Sequence, residues 1–216
     1  LDDLAAMDVP VGPTQFVGGD AEPLEALQAV LAAHSAEELV VKPAVSAGAR
    51  DTQRYARSQE FAASNHVARL LEEGRSVMLQ PYLRAVDSRG ETALIYFDGQ
   101  FSHAIRKGAL LQADTPAAPI PYANGQISAC DTEPQERALA EQTLDAAQRL
   151  LHLDEPLAYA RVDLIHDDDG SPRLLELELT EPSLFFAQAP GSAERLAGHL
   201  ATRLHADTVR TRTASA

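Results

Sequence analysis

Two short segments near the C-terminus carry side chains that could do chemistry. Tyr159-Ala-Arg-Val-Asp-Leu-Ile165 and Leu174-Leu-Glu-Leu-Glu-Leu-Thr180 both alternate apolar and polar residues, the period of a β-strand. Ala160, Val162 and Leu164 fall on one face, as do Leu175, Leu177 and Leu179. Arg161, Asp163, Glu176 and Glu178 fall on the other. If Asp169-Gly170 form the centre of a type I′ turn, Asp163 stands opposite Glu176 and Arg161 opposite Glu178. Two like charges about 4 Å apart repel by roughly 4 kcal/mol at an effective dielectric near 20. A hard cation with oxygen ligands offsets that, and magnesium is the usual choice beside phosphates. The plainer alternative is a solvated acidic hairpin face with Arg161 pairing locally.

Lysine usage adds a second signal. The chain has 18 Lys and Arg residues, yet its lysines are Lys42 and Lys107, both within expected strands. Lysine is a compact point charge suited to a phosphate oxygen in a narrow space; the bland alternative is snorkelling at a strand end.

These residues need a scaffold, and the chain can build one. Its 216 residues are enough for one large domain or two small lobes. A net charge of −14 disfavours a general nucleic-acid binder but not a nucleotide site, which needs only a few local cations. One cysteine, Cys130, allows no internal disulfide and suits a reducing cytoplasm. No apolar run is long enough for a membrane span. The opening Leu1-Asp-Asp-Leu-Ala-Ala-Met7 reads like the middle of a longer protein, with an upstream domain expected before it.

The periodicity predicts helices over Glu22–His34, over Ser58 to about Glu73 with Ser58 as cap and Phe61, Val67, Leu70 and Leu71 inward, from Thr132 (capping box Thr132-x-x-Gln135) to about Leu151, and over Gly191–Leu204. Strands are expected at Leu39–Pro43 and Val77–Leu83. A hairpin, Thr92–Phe97 and Phe101–Lys107, should turn at Asp98-Gly99. Tyr82, Tyr96 and Phe97 read as core aromatics and His103 as a surface residue. Hairpins dominate, so the class is α+β with largely antiparallel sheets.

Lys42-Pro43 with the small-residue loop after it, Gln80-Pro81-Tyr82-Leu83, Arg161-x-Asp163 and Glu176-x-Glu178 together resemble the ATP-grasp ligases, of the D-alanine–D-alanine ligase and glutathione synthetase branches. The stretches around Tyr96 to Lys107 and Glu178 to Phe185 resemble the group around the O-ureido-serine cyclo-ligase. The resemblance implies an ATP-grasp fold: two lobes with antiparallel sheets and flanking helices, 9–83 and 84–206, and ATP between them. It implies that Lys42 contacts the phosphates under a lid of Ser46, Ala47 and Gly48, that Gln80, Pro81, Tyr82 and Leu83 form the adenine hinge, and that Asp87 reaches the ribose. Asp163, Glu176 and Glu178 would hold two magnesium (or manganese) ions. Arg161 would steady the transferring group, with Lys107 and Arg106 facing the γ-phosphate or a substrate carboxylate. The implied activity makes an acyl phosphate from a carboxylate and passes it to an amine, in a small amino-acid-like substrate, linear or cyclising; homo-oligomers occur among such ligases. A degenerate ATP-binding regulatory module and an acidic calcium-binding β domain are the competing readings. Glu178 departs from the asparagine often found there, which should tighten metal binding.

Overall fold

The computed structural model describes residues 1–46, 48–111 and 127–214. In chain order the elements are α1 (Asp2–Ala5), β1 (Gln15–Val17), α2 (Pro23–Ala33), β2 (Glu38–Pro43), β3 (Gln53–Ala56), α3 (Glu60–Glu72), β4 (Val77–Pro81), α4 (Ala85–Arg89), β5 (Glu91–Phe97), β6 (Gln100–Lys107), β7 (Ile127–Ala129), α5 (Pro134–Leu150), β8 (Tyr159–His166), β9 (Pro172–Glu178) and α6 (Ser192–Ala214). No described helix is long and apolar enough to cross a membrane.

The strands form two antiparallel sheets, ordered β1-β4-β2-β3 and β7-β6-β5-β8-β9. The first buries one face under α2 and α3. Leu27, Leu31, Val67 and Leu70 pack there against Leu39, Val41 and Leu79; each such buried side chain stabilises the unit by about 1.5–3 kcal/mol. Alternation turns Val40, Lys42, Met78 and Gln80 to the opposite face. The second sheet is covered on both sides. Leu94, Tyr96, Val162, Leu164 and Leu174 pack with Leu139, Ala140 and Ala146 of α5. Ala93, Ile95, Phe97 and Ile105 pack beneath Leu184, Phe185 and Leu196. Leu4, Val9 and Val11 pack with the α5 side, and Val11 bridges Leu174; residues 9–11, expected at the start of the smaller lobe, thus pack on the larger sheet.

Several expectations are corrected. The β8–β9 turn is not type I′: of Asp169 and Gly170 only Gly170 has positive φ, and Asp167 N–H bonds the Ser171 carbonyl. Near the turn this wider loop pairs Leu164 with Leu174, one residue out of the expected register. A bulge between Asp163 and Leu164 absorbs the difference, so Asp163 still faces Glu176 and Arg161 still faces Glu178. Leu174, not Leu175, consequently enters the core. The α5 N-cap is Glu133, not Thr132, because Pro134 takes the first helical position, and the Glu136 carboxylate accepts the Glu133 N–H at 2.8 Å. Ser58 lies inside a short 3₁₀ turn instead of capping α3, and Gln59 closes that turn onto the Ala56 N–H. Phe61 points out, 69% exposed. Asp98 and Gly99 both have positive φ, as the expected β5–β6 turn requires.

Candidate active site

Strand parity decides which side chains meet. On β5, β6 and β8, the odd-numbered residues Glu91, Lys107, Arg161 and Asp163 share one face, bonded to one another. The even-numbered Thr92, Arg106 and His166 share the other, gathered around buried Glu136 of α5. Arg106 therefore does not accompany Lys107: it donates to the Arg89 carbonyl at 3.1 Å on the α5 side. Consecutive strand residues point to opposite faces, so the expectation that both reach the γ-phosphate is corrected.

Asp163 is the hub of the odd face and is fully buried. Its carboxylate accepts Lys107 Nζ at 2.8 Å, Arg161 Nε at 2.8 Å and Arg161 Nη2 at 2.9 Å. Lys107 also pairs with Glu91, directly opposite on β5. Arg161 also pairs with Glu178, its partner on β9. Single carboxylate oxygens of Asp163, Glu176 and Glu178 lie within 4.8 Å of one another. Gly90 lets this lattice close. Its φ is +71°, and a Cβ there would stand 2.3 Å from the Lys107 carbonyl oxygen.

The electrostatics follow from this crowding. Burial pushes the Asp163 carboxyl up, but Lys107 and Arg161 more than reverse it and hold it below the usual range. Burial also disfavours the Lys107 ammonium, yet Glu91 and Asp163 hold its proton more tightly than normal. Glu91 is pushed up by burial, against Lys107. Glu176 is pushed up by burial and by Asp163, and Glu178 by burial against the pull of Arg161. Lys42 belongs to the other sheet, yet feels the same acids: burial pushes its ammonium down, while Glu176, Glu91 and Asp163 pull it up. Glu91, Asp163, Glu176 and Glu178 outnumber Lys42, Lys107 and Arg161. The site is short of positive charge in a place where oxygen ligands converge, and a divalent cation fits that deficit.

The remaining expected residues lie along the first sheet and its exit. Ser46 is exposed and its hydroxyl donates to the Arg50 carbonyl at 2.9 Å; Gly48 has φ +63° and open space around it; Ala47 is outside the described residues. Gln80 donates to Thr14 Oγ1 at 2.7 Å. Pro81 pairs with Leu39, Tyr82 N–H bonds the Glu38 carbonyl, and Leu83 caps the turn into α4 through its carbonyl. Tyr82 is not a core aromatic. Its hydroxyl donates to Asp87 at 2.6 Å, and Arg54 lies 3.6 Å over its ring. Arg54 in turn bonds Glu38 at 2.7 and 2.9 Å and Asp87 at 3.1 Å, so Asp87 sits within a knot of four side chains. Tyr96 and Phe97 are buried as expected.

Sequence reasoning missed Arg54 and Glu38, for which long-range pairing left no local signal. It also missed the role of Glu91, although its register opposite Lys107 follows from the β5–β6 turn. His103 is not a free surface residue: both ring nitrogens are hydrogen-bonded.

No family model matches the chain. It is 47% identical over 205 residues to the cycloserine biosynthesis protein DcsG of Streptomyces lavendulae, a match spanning 94% of this chain and 68% of that protein. The crystal structure of D-cycloserine synthetase DcsG is similar with a TM-score of 0.90 over the same shares. The ATP-grasp ligase PsnB, in complex with Mg and ADP, is 19% identical with a TM-score of 0.61, over 93% of this chain and 56% of that one. A D-alanine–D-alanine ligase of Bacillus anthracis complexed with ATP is 16% identical with a TM-score of 0.63, over 100% of this chain and 66% of that one. These last two share the fold.

Proposed function

The chain belongs to the ATP-grasp ligase family, and on that premise we propose how its residues divide the work. It is an ATP-dependent ligase that joins carbon to nitrogen through an activated carboxylate. The observation that carries the site assignment is the convergence of Asp163, Glu176 and Glu178 within 4.8 Å, in the field of Lys42 from the facing sheet.

In this reading residues 12–83 form the smaller lobe and 84–206, with residues 9–11 packed against them, the larger, with ATP between them. Asp163, Glu176 and Glu178 hold two magnesium ions. Magnesium supplies charge neutralisation and alignment for the triphosphate. Lys42 binds the phosphates from the other sheet, beneath the loop of Ser46, Ala47 and Gly48. Gln80 to Leu83 receives the adenine edge. Asp87, already held by Arg54 and Tyr82, faces the ribose. A substrate carboxylate attacks the γ-phosphorus, breaking its bond to the bridging oxygen; ADP leaves and an acyl phosphate forms. An amine nitrogen then attacks the acyl carbon, phosphate departs and the nitrogen loses a proton. Arg161, fixed by Asp163 and Glu178, stabilises the oxyanion of that second step. Lys107 is already paired to Glu91 and Asp163, so its role is to set the position and charge of Asp163.

We further propose that the nitrogen belongs to the same molecule, giving a small cyclic amino-acid derivative; the relative named D-cycloserine synthetase supports this choice. The test is ADP and phosphate release from the full-length protein with Mg-ATP, screened over amino acids, small carboxylic acids and O-ureido-serine. Substrate-dependent release with a cyclic product supports the reading. Release only with paired acid and amine substrates sinks the cyclisation, and no release with any substrate sinks the site assignment.

A further inference from the structure

The segment after β9 folds back over the odd face, and one residue in it is conformationally unusual. Phe185 has φ 49° and ψ 43°, the left-handed region that a bulky side chain rarely enters. Such outliers persist only where the surroundings over-determine them. Its ring lies 5.6 Å from the Arg161 guanidinium carbon and 6.0 Å from Lys107 Nζ, within reach of cation–π attraction. The Arg161 guanidinium also donates from Nη1 to the Ser183 carbonyl at 3.3 Å.

The peptide before Phe185 is held from below. His103 Nε2 is 2.9 Å from the Leu184 carbonyl oxygen. A carbonyl can only accept, so Nε2 carries the proton. On the other side of the ring, His103 Nδ1 is 2.9 Å from Ser102 Oγ, which accepts Arg195 Nη2 of α6 at 2.9 Å. With Arg195 donating to it, the Ser102 hydroxyl turns its own proton to Nδ1. The relay fixes one neutral tautomer of His103, braced against Phe97 in an edge-on contact at 6.2 Å. Burial disfavours a charged ring here, against the Leu184 carbonyl, which favours it, and Arg195 adds a weaker push in the same direction as burial.

We propose that His103 is a positioning residue: through the Leu184 carbonyl it holds Phe185 in its left-handed conformation as an aromatic wall over Arg161 and Lys107. The wall's catalytic value rests on the ligase reading above; the wall itself does not. Over a reacting acyl phosphate it keeps water off the acyl carbon, where attack would expel phosphate and return the carboxylate with ATP spent.

These 216 residues hold no tryptophan, so Phe185→Trp is the one indole among them and its emission, taken as the difference from the parent protein, reports on the wall. In that background His103→Ala is expected to red-shift the emission and raise acrylamide quenching about threefold, as the segment lets go. His103→Gln, whose amide N–H can still reach the Leu184 carbonyl, is expected to restore both. Unchanged quenching in a folded His103→Ala protein overturns the inference. Should His103→Ala not fold, Arg195→Met removes the donor behind the relay, and it must raise quenching or the inference fails. With a substrate found by the screen, His103→Ala raises the phosphate-to-product ratio while the KM for Mg-ATP stays put, and His103→Gln restores coupling. A silent ligase assay beside a clear fluorescence response overturns the activity assignment and leaves the brace standing; an intact coupling ratio beside silent fluorescence overturns the brace alone.

Discussion

Glu176 stands beside Asp163 and near Glu178 with no cation of its own in a hydrogen bond among the described residues, whereas Asp163 sits between Lys107 and Arg161. Two carboxylates of one site are thereby expected to answer to neutralisation with opposite signs. Asp163→Asn leaves two buried cations short of a partner and should cost about 3–5 kcal/mol of stability. Glu176→Gln relieves repulsion, so the metal-free protein should melt at a higher temperature than the parent. Both should abolish ADP release, and Glu176→Gln should also lose the rise in melting temperature that magnesium gives. Urea titration and thermal melts with and without magnesium check this; a Glu176→Gln protein that melts lower without metal counts against the crowded-acid picture. Of this site, Asp163, Glu176, Glu178 and Arg161 were legible from alternation alone. Arg54, Glu38 and Phe185 were not, because their partners lie far away in sequence and their roles come from packing.

The bulge between Asp163 and Leu164 shows how an element can be right for a wrong reason. The pairing of Asp163 with Glu176 follows from a two-residue turn on paper. In the molecule a wider loop shifts the register by one, and the bulge shifts it back. Sequence patterns record the period of a strand, not the extra residue that re-phases it. The same limit moved the α5 cap from Thr132 to the Glu133–Glu136 pair, since Pro134 fixes the start. A deletion of Leu175, the extra residue, is expected to leave a regular ladder in which Asp163 still faces Glu176 and Arg161 still faces Glu178. Magnesium-dependent turnover should fall by less than about 100-fold, the scale for misplaced catalytic groups, while far-UV circular dichroism stays near the parent. A larger loss would mean that the bulge itself, and not the pairing it restores, sets the metal ligands.

Across the whole molecule, three partly or fully buried histidines share one electrostatic tendency. Burial pushes His66, His103 and His166 below the ordinary imidazole range. Each is neutral in the folded chain and takes up its proton more readily when unfolded. The stability they carry is full above about pH 6.5, the unfolded value, and drains as pH falls toward the lower folded values. The raised carboxyls Glu91, Glu176 and Glu178 act oppositely, weakening the fold as they ionise, and saturating magnesium removes much of that. We therefore expect the melting temperature in magnesium to fall between about pH 7 and pH 5, and His66→Gln to flatten the slope. A flat parent profile contradicts the burial of these rings. Mg-ATP binding between the sheets should raise the melting temperature with nucleotide concentration; calcium alone giving the same rise would favour a plain acidic cation site.

The odd and even rows of β5, β6 and β8 carry separate duties, chemistry above and the α5 core beneath. The odd row also packs Ala93, Ile95, Phe97 and Ile105 out of water, and Arg161, Asp163 and Lys107 are themselves buried. Variation in what the site makes and variation in how firmly the sheet holds therefore travel together along one row of the pleat, and a lineage that explores new products on this scaffold does so at the margin of its stability.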